Sequence, residues 1–255
     1  YNEKTMNASL RKQMHPLWIL FTSRWGGAEQ IAVSDMVDLA RAGMKVSLLC
    51  LEASPLHAAA LRYPEIDVHT VQLAVKNFDL SFIRELRSMI LNIGANILHI
   101  KNQNLLWSIV PALFGHREVS VVASRHASVN SRIDKWIQAP LYSRLDYLIV
   151  LSETVRSSVH ARMPIPDKKI KVINLGLDFS RFDPTKVDGR AMRASWGADK
   201  DTIVVGSVGR LDPEIGQDTF IKAAAGLMKF KDRKMKFVIV GEDPLVASDE
   251  YLEEL

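Results

Sequence analysis

Two adjacent glycines follow the first apolar run of the sequence and could bring an anion against the backbone. Residues 17–22 are largely apolar, and a turn then leads to Gly26 and Gly27. Because glycine has no Cβ, a ligand can approach its backbone, and the free N–H groups that open the following helix can bind negative charge. Arg24 and Glu29 flank the pair as auxiliary candidates in this glycine loop (residues 24–29). A plain glycine turn without a ligand is the alternative interpretation.

A histidine and an arginine follow two later apolar runs. His126 comes shortly after the run at 119–123, where an imidazole can exchange a hydrogen bond or a proton with a substrate hydroxyl. Arg210 follows the run at 202–208, and its planar guanidinium suits the oxygens of a phosphate. Gly216 starts the next helix, whose N–H groups could bind the same anion. A surface histidine and a surface ion pair are the alternatives.

The chain lacks the usual patterns of metal, dinucleotide and serine-hydrolase sites. Its only cysteine is Cys50, so neither an intrachain disulfide nor a cysteine metal cluster can form. No two histidines have metal-binding spacing, and the G-x-G-x-x-G, G-x-x-x-x-G-K-[ST] and G-x-S-x-G motifs are absent. His99 alternates within a strand and is predicted to be structural. The sequence therefore predicts a site for an anion and a hydroxyl, without a metal.

Repeated strand–helix units position these residues. Short apolar runs alternate with helical patterns, such as those at 28–42 and 80–93, up to about residue 178. Apolar strands separated by helices indicate an α/β fold with a parallel sheet covered on both faces. In such a sheet, ligands bind outside the carboxyl ends of the strands. We therefore expect the two glycines, His126 and Arg210 to face one cleft.

The strand–helix pattern restarts after a polar connection. Residues 179–184 end in Pro184 and suit a linker. One strand–helix–strand unit follows at 202–240, and it is too small to bury both faces of a sheet. We expect an acceptor-side domain at 1–178, and a linker with the start of an incomplete second domain at 179–255. The first residue is Tyr1 rather than Met, which is consistent with a fragment.

Positive charge is concentrated in the middle of the chain. The net charge is +4; residues 101–200 carry 16 basic and 9 acidic side chains, whereas residues 201–255 carry 7 and 11. Such a field favours phosphates or an anionic membrane surface, unless the basic face is simply solvated. No dense basic run suggests nucleic acid. No apolar run is long enough to span a membrane, and the single cysteine fits a reducing cytosol.

Taken in order, these segments resemble the retaining nucleotide-sugar glycosyltransferases of family 4. The most specific match is the donor loop (residues 208–218), with Val208-Gly209-Arg210 and Gly216-Gln217-Asp218. Gly26-Gly27-Ala28-Glu29 resembles the family's glycine loop, and Ser124-Arg125-His126 lies where the family has a histidine after a strand. Weaker matches occur at 148–153, 169–184 and 238–242. The resemblance implies the GT-B fold: α/β, with two Rossmann-like parallel-sheet domains facing a cleft, the second truncated in this chain and binding the donor.

The chain departs from the family's pattern in the second domain. Ile215 stands where the family has a lysine, and Asp243 interrupts the usual glycine pair after the next strand. The paired glutamates that the family uses on the donor come later than residue 255. The glutamates near the end of the chain lie too early and are predicted to form a solvated helix face; they are Glu250, Glu253 and Glu254. The 255-residue chain alone is therefore expected to be poorly active.

The resemblance implies hexose transfer from a nucleoside diphosphate sugar to a hydroxyl of a saccharide or lipid-linked acceptor, with retention. Gly26, Gly27, Arg210 and Gly216 would bind the diphosphate, and His126 would be catalytic, with no obligatory metal or other cofactor. Polysaccharide or lipopolysaccharide biosynthesis in the cytoplasm, at the inner face of the membrane, is the expected setting. Two alternatives stay open. Ile215 favours a non-catalytic GT-B-like binding subunit, and a nucleotide-sugar epimerase shares the fold, although the donor loop argues against it.

Overall fold

Parallel strand pairing organises the first part of the chain into one sheet. The computed structural model describes residues 8–72, 79–129, 135–176, 182–183, 185–209, 211, 215–229 and 233–241. Seven strands pair in the order β3-β2-β1-β4-β5-β6-β7, and every neighbouring pair is parallel. They are β1 (Pro16–Leu20), β2 (Val46–Leu51), β3 (Ile66–Val71), β4 (Ile97–Ile100), β5 (Ser120–Arg125), β6 (Tyr147–Val150) and β7 (Ile170–Val172). The predicted α/β fold with a parallel sheet is confirmed.

One helix precedes the first strand, and helices between successive strands cover both faces of this sheet. They are α1 (Ala8–Gln13), α2 (Gly27–Arg41), α3 (Pro55–Ala60), α4 (Leu80–Ile93), α5 (Leu106–Ala112), α6 (Lys135–Ser143) and α7 (Glu153–Arg162). Leu17 and Ile19 of β1 belong to one buried cluster, and Trp18 and Leu20 belong to another. Successive residues of β1 therefore enter opposite cores, as expected for a strand buried on both faces. Among the helices in the described part of the chain, none combines the length and apolarity that a membrane crossing needs.

Capping residues set the ends of these helices. The Asp79 carboxylate accepts a hydrogen bond from the Ser81 N–H at 2.8 Å before α4, and Gly94 ends that helix in the left-handed region with φ 72°. Helix α3 begins in a similar way, because the Ser54 hydroxyl caps it and Pro55 occupies its first position. The apolar spacing does not predict α1 or α3, since neither is long enough to show a helical period.

A second compact unit follows the sheet. The chain divides into Tyr1–Leu175 and Gly176–Leu255, close to the predicted boundary at residue 178. In the second unit, β8 (Ile203–Val208) pairs in parallel with β9 (Met235–Val240), and α9 (Gln217–Leu227) lies between them in the chain. Helix α8 (Arg190–Ser195) precedes β8 and was not predicted from the sequence pattern. The described part of this unit therefore contains one short helix followed by a strand–helix–strand motif with parallel strands.

Two glycines bring the ends of β8 and β9 into contact. The Gly209 N–H donates to the Val240 carbonyl oxygen at 3.0 Å. A Cβ built on Gly241 would collide with the carbonyl oxygen of Gly209. In this backbone, residue 241 has room for glycine only.

Candidate functional site

The strand order places a switch point between β1 and β4. From β1 the chain moves outward through β2 to β3, and it then returns to β4 on the other side of β1. In open α/β sheets, ligands bind outside the carboxyl ends of the strands at such a point. Gly26 and Gly27 follow β1, Lys101 directly follows β4, and His126 directly follows β5. Three of the predicted site residues therefore follow strands at this edge of one sheet.

The glycine loop leaves the first turn of α2 open. Gly26 is the N-cap residue of α2, and its extended backbone, with φ −159°, is one that any residue adopts. A Cβ at Gly27 would meet no described atom within 4 Å, and one at Gly26 would make an ordinary contact of 3.4 Å with Glu29 Oε2. Neither backbone conformation nor packing requires glycine at these positions. A tight turn therefore does not explain the pair.

Arg24 and Glu29 lie on either side of the two glycines. Arg24 is exposed, and its backbone N–H donates to Thr22 Oγ1 at 3.1 Å. Glu29 is half-buried in the first turn of α2, where the helix dipole favours a carboxylate. The helix start therefore explains Glu29, while the Arg24 side chain lies at the surface beside the loop.

His126 presents a neutral imidazole at the edge of the sheet. Its side chain is half-buried, and burial lowers its pKa below the usual value, with a further decrease caused by the positive charge of Lys101. At pH 7 the ring is therefore neutral and has one donor and one acceptor nitrogen. Such a ring can exchange hydrogen bonds with a hydroxyl group, as the predicted role requires.

Two side chains that the sequence did not single out hold the loop around His126. Arg125 Nε donates to the Ala127 carbonyl oxygen at 2.9 Å, and its Nη1 donates to Gln103 Oε1 at 3.0 Å. Gln103 Nε2 in turn donates to the Ser124 carbonyl oxygen at 2.9 Å. The backbone on both sides of His126 is thereby fixed to the segment that follows β4. The sequence could have indicated Arg125 only by its position next to the predicted histidine, and it contains no pattern that indicates a role for Gln103.

His99 is half-buried and contacts the end of β5 through a hydrogen bond and the side chain of Trp18 through a ring contact. Its Nε2 lies 2.5 Å from Ser124 Oγ, and its ring centroid lies 3.7 Å from that of Trp18. Burial lowers the pKa of His99 to about 3, and the charges of Lys101 and His126 act in the same direction. Hydrogen bonding and ring contact thus account for this histidine without a ligand.

Lys101 is a cation at the switch point that the sequence did not single out. Its Nζ donates to the Ala28 carbonyl oxygen at 2.7 Å, in the first turn of α2, and lies 5.8 Å from the centre of the Trp18 ring. Burial lowers the pKa of Lys101 to about 8, and the negative charges of Asp35 and Glu29 offset part of that decrease. No carboxylate oxygen of the described residues lies within 4.0 Å of the Lys101 ammonium, so the lysine forms no ion pair with them.

The donor loop is described in part. Arg210 lies outside the described residues, as do residues 212–214 and the three glutamates near the end of the chain, so their predicted roles stay predictions. Gly216 is the N-cap residue of α9 and has φ 84°, a left-handed conformation that favours glycine. Ile215 directly precedes it, and 44% of its surface is exposed. The start of α9 thus follows an apolar side chain, not a cation.

Metal ligands do not converge in the described residues. No three side chains of His, Cys, Asp or Glu within the described ranges are grouped so as to hold a metal ion. Cys50 is buried in β2, and burial raises the pKa of its thiol to about 11. The thiolate that would bind a metal is therefore disfavoured.

Comparisons with solved structures show the same fold in glycosyltransferases. A glycosyltransferase from Rickettsia africae superposes with a TM-score of 0.78 at 14% identity, over 94% of this chain and 63% of that one. Anabaena HepE in complex with UDP and glucose gives a TM-score of 0.74 at 18% identity, over 94% and 64%. The lipopolysaccharide outer core galactosyltransferase WaaB gives 0.58 at 15% identity, over 94% and 64%. This chain therefore spans less than two thirds of the length of these proteins, with which it shares the GT-B fold.

Sequence comparison identifies the family. The model described as Glycosyltransferase Family 4 matches residues 25–181, and the model described as Glycosyl transferases group 1 matches residues 188–255. No curated protein matches the sequence. Because the first of these matches covers more than half of the 255 residues, the chain belongs to glycosyltransferase family 4.

Proposed function

We propose that this protein transfers a sugar from a nucleoside diphosphate sugar to a hydroxyl group of an acceptor, with retention of the anomeric configuration. Membership of family 4 supports the transfer, and the similarity to HepE in complex with UDP and glucose supports UDP as the nucleotide. One observation carries the proposal. The open first turn of α2, at Gly26 and Gly27, lies at the same sheet edge as the neutral His126.

The diphosphate is the group that the protein has to stabilise. During transfer, the bond between the anomeric carbon and a diphosphate oxygen breaks, the acceptor oxygen bonds to that carbon on the same face of the sugar, and the proton of the acceptor hydroxyl passes to the leaving diphosphate. Negative charge grows on the leaving diphosphate, and N–H donors that are already in place lower the barrier. We assign this task to the N–H groups at Gly26 and Gly27, to Arg210 and to the helix start at Gly216. Arg24 is an auxiliary cation.

His126 is the candidate catalytic residue. Its neutral ring would exchange a hydrogen bond with a hydroxyl of the donor sugar or of the acceptor. Because burial and the charge of Lys101 lower its pKa, the ring gains a proton at a lower pH than an ordinary histidine does. Activity is therefore expected to fall toward acid pH as the ring becomes charged. We assign no metal or other cofactor, so EDTA should not change the rate.

A lipid-linked glycan or a saccharide is the proposed acceptor, in polysaccharide or lipopolysaccharide biosynthesis. The net positive charge of residues 101–200 supports a position at the inner, anionic face of the membrane, where each Lys or Arg contributes about 1 kcal/mol. Trp136 and Ile137 of α6 are exposed and could enter the lipid interface. Binding to vesicles with and without anionic lipid tests this part of the proposal; equal binding to both would contradict it.

Product analysis with labelled UDP-sugars tests the proposed reaction. The chain, extended by a complete second domain, is incubated with each donor and a panel of saccharide and lipid-linked acceptors, and the products are separated and examined by NMR for anomeric configuration. Sugar attached to an acceptor with the donor's configuration is the expected result. His126→Ala should reduce the rate about 100-fold or more, whereas His160→Ala, which changes an exposed histidine of α7, should not. An inverted product, or an isomerised donor without transfer, would refute the proposal.

A binding subunit is the second candidate, and Ile215 is the residue that favours it. Isoleucine provides neither charge nor donor where the family has a lysine. Under this alternative, the chain binds a UDP-sugar in calorimetry but forms no transferred or isomerised product with any donor and acceptor.

A further inference from the structure

We propose that Lys101 is a substrate-binding residue whose ammonium group binds a phosphate oxygen at the carboxyl ends of β1 and β4. The inference rests on the proposed function, because it names the side chain that recognises the phosphate of that reaction's substrate. It goes beyond the sequence prediction, which assigned phosphate binding to the glycines and Arg210.

The position of Lys101 places its charge at the glycine loop. The residue is the first after β4, which is the neighbour of β1 at the switch point of the sheet. Its Nζ lies 2.7 Å from the Ala28 carbonyl oxygen, and Ala28 directly follows Gly27. A phosphate that approaches the open backbone at Gly27 would therefore come close to this ammonium.

The bond to Ala28 does not by itself explain a lysine here. A neutral donor such as glutamine could bond to the same carbonyl oxygen without the cost of removing a full charge from water. The ammonium also lies over the Trp18 ring, in a region where burial already lowers the pKa of Lys101 to about 8. A ligand with negative charge would offset this loss of hydration, because an anion close to a buried cation favours its charged form.

Lys101 is the cation among the charged and titratable groups at this sheet edge. The charged and titratable groups that face it are Asp35 and Glu29 from α2, His99 from β4 and His126 after β5. The two carboxylates offset the burial of Lys101 only in part, and the positive charge of Lys101 lowers the pKa of both histidines. Both imidazoles are neutral at pH 7, so the positive charge at this sheet edge comes from Lys101 and the positive end of the α2 dipole, with the two carboxylates of α2 opposing it.

The phosphate could belong to the donor diphosphate or to a phosphorylated acceptor, and both present the same oxygens. The position of Lys101 next to the glycine loop favours the donor diphosphate.

Calorimetric titration over a range of pH tests this inference. The 255-residue chain is titrated with UDP and, separately, with glucose 6-phosphate at pH 7 and pH 9. A lysine with a pKa of about 8 is mostly charged at pH 7 and mostly neutral at pH 9. Binding that needs its charge should therefore weaken about tenfold over this interval. Lys101→Met should weaken UDP binding at pH 7 by about tenfold and remove the pH dependence, while Lys101→Arg should keep the pH 7 affinity at pH 9.

Lys169→Met is the matched control. Lys169 Nζ also donates to backbone carbonyl oxygens, those of Ser143 at 3.0 Å and Leu145 at 2.5 Å, but it precedes β7, at the amino ends of the strands. This variant should bind both ligands as the parent chain does. Circular dichroism checks that each variant is folded. If Lys101→Met does not fold, the affinities of Lys101→Arg and of the parent at pH 9 still show whether UDP binding needs the positive charge at this position.

The outcomes separate this inference from the proposed function. UDP binding that is equal in the parent and in Lys101→Met, or equal at pH 7 and pH 9, would overturn the role of Lys101 and leave the transferase proposal standing. If UDP binding depends on Lys101 but the protein with a complete second domain transfers no sugar, the role of Lys101 stands and the transferase proposal falls. Dependence seen with glucose 6-phosphate alone would assign the phosphate to the acceptor. A parent chain that binds neither ligand would overturn both.

Discussion

Acid lability of the first unit should originate largely in His99. Its pKa is about 3 in the folded protein, against an ordinary value of 6.5. As the pH falls below 6.5, the unfolded chain binds a proton at this histidine while the folded chain does not. Unfolding therefore becomes more favourable. With these two pKa values, the free energy of unfolding should fall by about 2 kcal/mol between pH 7 and pH 5 because of His99 alone.

The informative perturbation is the double variant His99→Phe, Ser124→Ala. Phenylalanine keeps a ring against Trp18, and alanine removes the hydroxyl that His99 Nε2 contacts at 2.5 Å. Removing both partners of such a part-buried hydrogen bond can be nearly neutral, whereas His99→Phe alone should cost about 1–3 kcal/mol because it leaves the hydroxyl of the buried Ser124 unpaired. Ser124→Ala alone is the control, since it keeps the histidine and its titration.

Urea unfolding at pH 7 and pH 5, followed by tryptophan fluorescence, measures the difference. Four of the five tryptophans lie in the first unit, so the signal reports mainly on it. The parent chain and Ser124→Ala should each lose about 2 kcal/mol more than the double variant over this pH interval. His15 and His126 also have lowered pKa values, but they are common to all these proteins and cancel in the comparison. Equal losses in the parent and in the double variant would refute the reasoning.

Four further substitutions test the loops. Gly27→Ala should leave thermal stability nearly unchanged, because a Cβ there meets no described atom within 4 Å, yet calorimetry should show UDP binding about tenfold weaker if the ligand approaches this backbone; unchanged binding would count against the glycine-loop site. Gly216→Ala should lower the free energy of unfolding by about 1–2 kcal/mol, because φ is 84° at this position; a chemical unfolding curve that superposes on that of the parent would contradict this. Arg125→Met should lower kcat about 10- to 100-fold with only a small change in melting temperature, since it releases the loop that carries His126; a loss of stability without a loss of kcat would make the arginine merely structural. Ile215→Lys should raise UDP affinity up to about fivefold by adding a cation; equal or weaker binding would mean that the charge is already balanced.

The fold could be predicted because both faces of the sheet are covered. The central strands of such a sheet are apolar on both sides, so each one stands out as a short apolar run, as Val46–Leu51 does. The runs predict all seven strands of the first sheet to within a few residues. Short helices are different, since α3 is too short to show a period and its signal lies in Ser54 and Pro55 instead.

The candidate site could be predicted only where residue type and position in the chain are both informative. Adjacent glycines and a histidine after strands meet that condition. Lys101 and Gln103 do not, because their importance comes from the pairing of β4 with β1 and β5, and no single-sequence pattern specifies which strands are neighbours. Electrostatic coupling between Lys101 and His126 arises from the same pairing. The order of the strands was therefore the missing information.

The contact between Gly209 and Gly241 makes the effects of mutations at these two positions interdependent. Any side chain at 241 has to displace the carbonyl of residue 209, which immediately precedes Arg210. A substitution made after β9 would thus be felt at the start of the donor loop, more than thirty residues earlier in the chain. Stability effects at residues in contact do not add, so the energetic cost of changing one of these glycines depends on the other. Sequence variation in the donor loop is in this way constrained from a distant part of the chain, and the glycine after β9 has a packing role whether or not it ever touches a ligand.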